Sequence, residues 1–179
     1  MSNIPLRIIT LALAGTAALA GTPAAAEAPR LRATVLGGLE RTDSAPGTGA
    51  VDGVYYGVQL GADWDLGGLL VGVEGEVGDS TASAAITGNR ARQGLFGNAA
   101  VRVAVPFTDH LRGFVRGGYA YHQIDYSTGP AFKGSGYTLG GGGEVDLSEH
   151  LFLRGEYRFS NYGSTVRGQQ FLLGAGVKF

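Results

Sequence analysis

The sequence contains no cysteine, few charged residues and, beyond residue 30, no long hydrophobic run. The absence of cysteine excludes disulfides, thiolate metal sites and cysteine nucleophiles together. Charged residues make up 16% of the chain, against the usual ~25%, while a hydrophobic content of 44% is too high for a disordered chain. The formal net charge of −1 gives no indication of nucleic-acid binding or of a polybasic membrane anchor.

Glycine is the residue present in excess, at 32 of 179 residues, well above the usual ~7%. The chain has no Gly-X-Y repeat and only six prolines, which excludes a collagen-like structure. No sustained 3.6-residue periodicity follows residue 30, so the sequence predicts an all-β chain.

The first 26 residues have the pattern of a secretory signal peptide. Arg7 supplies a positive charge, a short apolar stretch follows, and Ala24-Ala25-Ala26 offers an A-x-A site with cleavage before Glu27. The alternative is a retained membrane anchor, but the stretch is rich in small residues and shorter than the ~20 apolar residues of a membrane helix. The sequence therefore predicts a cleaved segment 1–26 and a single β-barrel domain over 27–179.

Period-two alternation of apolar and polar residues recurs in eight segments of about ten residues, the length of a membrane-spanning strand. These segments are 31–40, 54–64, 69–77, 94–105, 111–122, 136–147, 151–159 and 170–179. Their connections alternate between short turns and longer polar loops. This pattern predicts an eight-stranded antiparallel up-and-down transmembrane β-barrel with short periplasmic turns and long external loops.

The segment 151–159, LFLRGEYRF, raises the question of which face lies inside. Leu151 and Leu153 fall on one face of a strand, and Arg154, Glu156 and Arg158 fall on the other. In a soluble β-barrel or sandwich the apolar face forms the core, whereas in an outer-membrane barrel it meets lipid. Periodicity alone leaves both alternatives open.

The charged face of the eight segments argues for the membrane alternative. It carries seven basic residues, Arg32, Arg102, Arg112, Arg116, Arg154, Arg158 and Lys178, and seven acidic residues, Glu40, Asp63, Glu74, Glu76, Glu144, Asp146 and Glu156. A basic residue facing lipid costs about 2–4 kcal/mol near the midplane. In a membrane these charges must therefore point inward, where an eight-stranded barrel is just wide enough for side chains to fill. We predict a packed network of paired charges in the lumen.

Aromatic residues near the segment ends also favour a membrane barrel, because such residues form girdles at the two interfaces. The predicted girdle residues are Tyr56, Trp64, Tyr121, Tyr137, Phe159 and Phe171. Ten residues at ~3.3 Å, tilted by ~40°, span about 25 Å, which is the height of the apolar band.

Three stretches resemble the small eight-stranded outer-membrane barrels of Gram-negative bacteria. The final GAGVKF with Phe179, the segment LFLRGEYRFSNYGS and the segment VRGGYAYHQIDY are similar to the opacity and attachment-invasion types, OmpA-like membrane domains and alphaproteobacterial outer-membrane proteins. The resemblance implies an outer-membrane location and a role for Phe179 as the signal read by the barrel assembly machinery. It also implies structural, surface-contact or poorly conducting pore roles.

An enzymatic role is the main alternative to a structural one, because some barrels of this size are lipid A deacylases with a His-x-Ser pair on a late strand. The matching positions here are Arg158 and Ser160, and arginine cannot act as the base because it stays protonated. The histidines His110, His122 and His150 are predicted to lie at opposite ends of the barrel, so they cannot share a metal. We therefore predict a non-enzymatic protein without metal or cofactor.

The sequence thus predicts an outer-membrane protein with a structural, envelope-integrity or surface-interaction role. A small-solute porin of low conductance is the first alternative, and a lipid A-modifying barrel enzyme is the second. The predicted partners are outer-membrane lipid and lipopolysaccharide, the barrel assembly machinery during biogenesis, and a host or surface ligand held by the loops. Leu153→Arg is expected to impair membrane folding far more than Arg154→Leu, because only the first would place a charge against lipid.

Overall fold

The computed structural model describes residues 28–43, 50–86, 89–126, 132–162 and 166–179. It contains nine strands: β1 (Arg30–Asp43), β2 (Ala50–Asp65), β3 (Leu70–Ser80), β4 (Ser83–Ile86), β5 (Asn89–Pro106), β6 (Leu111–Tyr126), β7 (Phe132–Asp146), β8 (Leu151–Asn161) and β9 (Arg167–Lys178). Within the described ranges there is no helix long and apolar enough to cross a membrane. The predicted signal peptide lies outside the described residues.

The strands form one closed antiparallel barrel with eight positions around its wall. β1 pairs with β2 and with β9, and the ladder closes where β3 pairs with β5. The short β4 pairs with β5 beyond the end of β3, so it extends the third position of the wall. The predicted eight-stranded fold is confirmed.

The registers also define the slant of the strands. A path of paired residues that starts at Leu31 crosses each of the seven other wall positions in turn. It returns to β1 at Arg41, ten residues further along the strand. A stagger of this size in an eight-stranded barrel corresponds to a strand tilt of about 40°.

Most strands are longer than the alternation predicted, and the difference lies at one end of the barrel. Residues 78–92, predicted as a long polar loop, instead contain the end of β3, all of β4 and the beginning of β5, with Ile86 paired with Asn89. Strand pairing needs only backbone hydrogen bonds. Residues 78–92 mix glycine, alanine, polar and charged residues without regular alternation, so the period-two signal is absent there although the ladder continues.

The end of the barrel that carries the short turns is called the turn end. Two of its turns, the one between β5 and β6 and the one between β7 and β8, are closed in the same way. The hydroxyl of Thr108 accepts a hydrogen bond from the backbone N–H of Leu111, and the hydroxyl of Ser148 accepts one from Leu151. In both turns the side chain closes the loop locally, as Ser and Thr do in tight turns. The opposite end of the barrel, from which the longer connections leave, is called the loop end.

The third turn, between β2 and β3, uses glycine. Gly67 and Gly68 have φ values of 79° and 98°, in the left-handed region that glycine adopts at no steric cost. Their N–H groups donate to the carboxylate of Asp65 at 3.0 and 3.2 Å. These hydrogen bonds, from Gly68 first and then Gly67, hold the pKa of Asp65 below its usual value.

The apolar face of every long strand points away from the barrel interior. Its exposed members include Leu31, Val35 and Leu39 in β1, Val58 and Leu60 in β2, Val101 and Val105 in β5, Val115 and Tyr119 in β6, Leu139 and Val145 in β7, Leu151 and Leu153 in β8, and Phe171 and Leu173 in β9. Val35 is 65% exposed and Leu173 is 61% exposed. A continuous apolar exterior of this size rules out the soluble alternative, because water-soluble proteins do not expose such a belt.

Candidate functional site

Ten ionisable side chains occupy the barrel interior and form what we call the ion network. Its members are Arg32, Asp63, Glu74, Glu76, Arg102, Arg116, Glu144, Arg154, Glu156 and Arg158, each with a side chain no more than 4% exposed. Five are arginines and five are carboxylates. Buried charges need partners in this way, because an unpaired charge away from water is strongly unfavourable.

Arg154 lies at the centre of the network. One guanidinium nitrogen, Nη1, is 2.8 Å from Glu74 and 3.4 Å from Glu144, while Nη2 is 2.9 Å from Glu156. The carboxylates come from three different strands, β3, β7 and β8. A single side chain therefore ties three parts of the wall together across the lumen.

On the loop-end side of Arg154, Arg158 makes a bidentate pair with Glu76. Its two terminal nitrogens are each 2.8 Å from one carboxylate oxygen, and its Nε donates to Glu156 at 2.8 Å. Arg116 approaches the same carboxylates, at 3.1 Å from Glu76 and 3.3 Å from Glu156. Parallel two-point contacts of this kind are the strongest that arginine forms with a carboxylate.

On the turn-end side, Arg102 makes a second bidentate pair, with both distances to Glu144 at 2.7 Å. Arg32 joins this group at 2.8 Å from Asp63, 2.8 Å from Glu74 and 3.1 Å from Glu144. Each carboxylate of this half is therefore shared by at least two arginines.

Three more charged residues lie at the turn-end mouth, where they are partly accessible. Arg112 and Lys178 both contact Asp146, at 2.6 and 2.7 Å. Arg112, which the sequence assigned to the lumen network, also lies 3.6 Å from Glu144. This group connects the ion network to the solvent-facing rim.

Neutral polar side chains, which the pattern of charged residues did not predict, complete the network. Gln59 accepts from Arg154 and donates to Glu76, Asn98 accepts from Arg116, and the Tyr55 hydroxyl donates to Glu76 at 2.6 Å. Tyr55 and Gln59 share the inward face with Asp63, since alternate residues of a strand point the same way. The period-two alternation therefore predicts these neutral residues on the inward face as well as the charged ones.

Aromatic rings face the guanidinium groups from both sides of the network. The guanidinium carbon of Arg154 lies 4.0 Å from the centre of the Phe114 ring, and that of Arg158 lies 5.9 Å from the Phe96 ring. These distances are within the range of cation–π attraction. Arginine therefore finds partners here both in carboxylates and in ring faces.

Two apolar clusters lie inside the barrel on either side of the ion network. The loop-end cluster consists of Leu36, Tyr55, Phe96, Ala120 and Leu172, and the turn-end cluster consists of Leu70, Ala104 and Phe114. In the loop-end cluster the rings of Tyr55 and Phe96 meet edge to face, with centroids 5.6 Å apart. The inward face is thus not uniformly polar, and the charges occupy the middle of the lumen.

The predicted girdle residues lie on the outer surface of the barrel. Tyr56, Tyr121, Tyr137 and Phe171 are exposed, and Trp64 and Phe159 are half-buried. The sequence prediction omitted Tyr119 and Tyr157, which are also exposed on this surface. Their hydroxyls pair with Ser135 and Gln169, each at 3.0 Å.

Phe179 and the three histidines are distributed between the two ends. Phe179 is exposed at the turn end, where its N–H donates to the carbonyl of Leu31 at 3.0 Å. His110 and His150 lie in the turns at that end, and His122 is buried near the loop end. Among the described residues, no three acidic, histidine or cysteine side chains lie together as metal ligands would.

A closed barrel with an apolar exterior and charges inside is the architecture of an outer-membrane β-barrel protein. Residues 9–179 match the sequence model of the outer membrane protein beta-barrel domain family. The chain belongs to this family of the Gram-negative outer membrane.

Curated relatives support this assignment. The chain is 31% identical over 114 residues to the 25 kDa outer-membrane immunogenic protein of Brucella ovis, covering 62% of this chain and 56% of that protein. The corresponding protein of Brucella melitensis is 31% identical over 126 residues, covering 62% and 59%. The chain thus spans a little over half the length of these relatives.

Solved structures share the fold at low identity. The attachment invasion locus protein Ail of Yersinia pestis, in complex with the heparin analogue sucrose octasulfate, superposes with a TM-score of 0.65 at 12% identity, covering 86% of this chain and 100% of that chain. Neisserial surface protein A superposes with a TM-score of 0.62 at 13% identity, covering 87% and 100%. At such identities the likeness concerns the fold alone.

Proposed function

We propose that this protein is a non-conducting, non-enzymatic scaffold of the outer membrane whose interior is plugged by the ion network. The observation that carries the proposal is the ten paired charges in the middle of the lumen, with apolar clusters on both sides. An ion crossing the barrel would have to displace several arginine–carboxylate pairs that have no access to replacement water. An eight-stranded wall leaves no second path around them.

A rigid plugged barrel serves to hold its outer hairpins in place, which supports an envelope-integrity or surface-interaction role. Binding sites commonly lie on loops that a rigid framework positions. The sucrose octasulfate complex concerns Ail, and we do not assign that ligand to this chain. Lipopolysaccharide is the partner that the exposed apolar belt would meet in the outer leaflet.

The absence of enzymatic activity is proposed from the residues at the position where related barrels carry a catalytic pair. Arg158 occupies the place of the base, and its guanidinium is engaged with Glu76 and Glu156. Ser160 is buried. A side chain that stays protonated and is held in two ion pairs cannot accept a proton from a neighbouring serine.

Planar-bilayer recording tests the plug. The purified barrel is expected to give no steady current. A quadruple variant Glu76→Ser, Arg158→Ser, Arg102→Ser, Glu144→Ser, which removes the bidentate pair from each half of the lumen without changing the net charge, is expected to conduct. Insertion of both proteins is checked by the faster migration of the unheated band in SDS gels. Steady ohmic current from the unaltered protein would contradict the plug and establish the low-conductance pore instead.

A further inference from the structure

The outer surface of β8, β9, β1 and β2 changes from apolar to polar near the loop end. The last fully apolar row of outward residues across these strands consists of Tyr157, Phe171, Leu39 and Val54. The next outward row, two residues closer to the loop end, consists of Phe159, Gln169, Arg41 and Asp52. Two residues of a strand advance by about 6–7 Å, so the change is abrupt. It marks the height at which lipid tails give way to headgroups.

A groove lies on the outer surface at this boundary, and we call it the interface groove. It has a volume of about 430 Å³, and its lining includes Leu39, Tyr157, Phe171, Arg41, Asp52 and Gln169. The Tyr157 hydroxyl donates to Oε1 of Gln169 at 3.0 Å and so joins the apolar part of the groove to its polar part. A groove that is apolar toward the bilayer and polar toward the loop end matches the two parts of a lipid molecule.

Arg41 supplies the positive charge of the interface groove. Its side chain is 59% exposed, and its nearest carboxylates are Asp52, 3.9 Å from Nη1, and Asp43, 4.0 Å from Nε. Both distances exceed the length of a hydrogen bond, and exposed ion pairs of this kind contribute little to stability. The guanidinium group carries five N–H donors, so it can turn from these carboxylates to a stronger acceptor at small cost.

Arg167 in β9 provides a second cation beside the groove. It is exposed, and it lies directly across from Asp43, two residues along β1 from Arg41. Such diagonal neighbours on one face are about 7–8 Å apart, so one headgroup can reach both guanidinium groups. Among the side chains that the structure describes, these two are the only basic ones that point outward at the loop end.

We propose that the interface groove binds one lipopolysaccharide molecule through its lipid A part. A lipid A phosphate contacts Arg41 and Arg167, and an acyl chain lies against Leu39, Tyr157 and Phe171. The inference rests on the proposed function, which places the loop end at the outer leaflet. Arginine forms two-point contacts with phosphate, and basic side chains beside an apolar membrane surface attract anionic lipid headgroups.

The two aspartates do not prevent phosphate binding, because they are open to water. The Asp52 side chain is 75% exposed and that of Asp43 is 49% exposed, so water and salt screen their repulsion of a phosphate. Asp52 instead competes with the phosphate for Arg41. Its removal is therefore expected to strengthen lipid A binding, whereas an occupant that used Asp52 as its own contact would bind more weakly.

Native mass spectrometry of the full barrel in detergent micelles, titrated with bisphosphorylated lipid A, tests this site. The measured quantity is the fraction of barrel that carries one lipid molecule. Arg41→Gln is expected to weaken the apparent affinity about tenfold, the effect of losing roughly one charge-assisted hydrogen bond. Asp52→Asn is expected to strengthen it. If Arg41→Gln gives no heat-modifiable barrel, Arg167→Gln tests the same groove.

Arg30→Gln is the matched control, because Arg30 lies at the opposite end of the same strand. Its side chain is 52% exposed and also pairs with an aspartate, Asp65, at 3.4 Å, so the variant removes the same charge outside the groove. It should bind lipid A as tightly as the unaltered protein.

Four results would each overturn the site. These are equal affinity in Arg41→Gln and the unaltered protein, an equal loss in Arg30→Gln, weaker binding in Asp52→Asn, and equal binding of phosphatidylglycerol or of lipid A without phosphates. A dimer mass that Arg41→Gln abolishes would instead assign the groove to a second copy of the chain. The lipid site and the plug fail separately, because Arg41 lies outside the lumen: a steady current from the unaltered protein contradicts the plug alone.

Discussion

At the scale of the residue, each buried arginine of the lumen contributes to stability only through the carboxylates that it contacts. Arg158 is completely buried and contacts Glu76 at two points and Glu156 at one. Removing one member of a buried pair leaves the other charge without compensation, whereas replacing both by apolar residues of similar size removes the desolvation cost as well.

Arg158→Ala should therefore lower the free energy of unfolding by about 3–5 kcal/mol. The double variant Glu76→Met, Arg158→Met should lie close to the unaltered protein, because no isolated charge remains in the pair. Urea unfolding in phospholipid vesicles, followed by the fluorescence of Trp64, the only tryptophan, measures both. A double variant as unstable as the single one would mean that Glu76 and Arg158 are not a separable pair.

The contacts of Arg154 change an expectation drawn from the sequence. The facing of the side chains alone predicts that Arg154→Leu is much milder than Leu153→Arg, because the Arg154 side chain points away from lipid. Arg154 holds Glu74, Glu144 and Glu156 together, so its loss would leave three buried carboxylates short of a partner. Both variants should be costly, and this pair cannot distinguish the two faces.

At the scale of the element, four consecutive glycines in β7 show how the space available to a side chain differs between the two faces of one strand. Gly140 and Gly142 point inward and Gly141 and Gly143 point outward, as alternation requires. A Cβ at Gly142 would collide with the carbonyl oxygen of Gly155 on β8, while a Cβ at Gly143 would meet nothing closer than 3.7 Å. The inward glycines therefore allow close packing, and the outward ones do not serve that purpose.

Gly142→Ala should lower the free energy of unfolding by about 1–3 kcal/mol, because overpacking forces the backbone to move. Gly143→Ala should be neutral or should raise it by up to about 1 kcal/mol, because alanine loses less conformational entropy on folding. The same unfolding assay compares the two neighbouring substitutions. The assignment of faces in β7 fails if Gly143→Ala proves to be the more damaging one.

At the scale of the whole molecule, the apolar belt determines how deep each residue lies in the bilayer. Leu173 lies near the middle of β9 and Val177 lies one residue from its end, and both point outward. A charge on the lipid face is most unfavourable at the midplane and nearly neutral at the interface.

Leu173→Arg should consequently cost about 2–4 kcal/mol and Val177→Arg about 0–1 kcal/mol in the free energy of unfolding from vesicles. The two substitutions introduce the same side chain on the same face of the same strand, so only depth differs. Equal costs would place the belt at a different height from the one that the exposed residues of β9 indicate.

Much of this molecule was predictable because its signals are local. Alternation places Leu153 and Arg154 on opposite faces wherever the strand is located, and depends only on backbone geometry. The cost of charge in lipid then decides which face lies inside. The closed barrel fold and the location in the outer membrane followed from these two facts. The strand pairing and the comparisons with known proteins confirm both predictions.

The sequence by itself thus determined the membrane-spanning parts of the eight wall positions, their faces and the residues available to the lumen. Only the tertiary structure decided which charges meet, because the partners of Arg154 come from strands far apart in the chain and their approach depends on the closed register. The tertiary structure also decided that apolar clusters lie at both ends of the ion network. It likewise decided that Glu40, which is on the same inward face, lies apart from that network. Alternation assigns a side chain to a face, but its neighbours across the lumen are set by the stagger of the whole barrel.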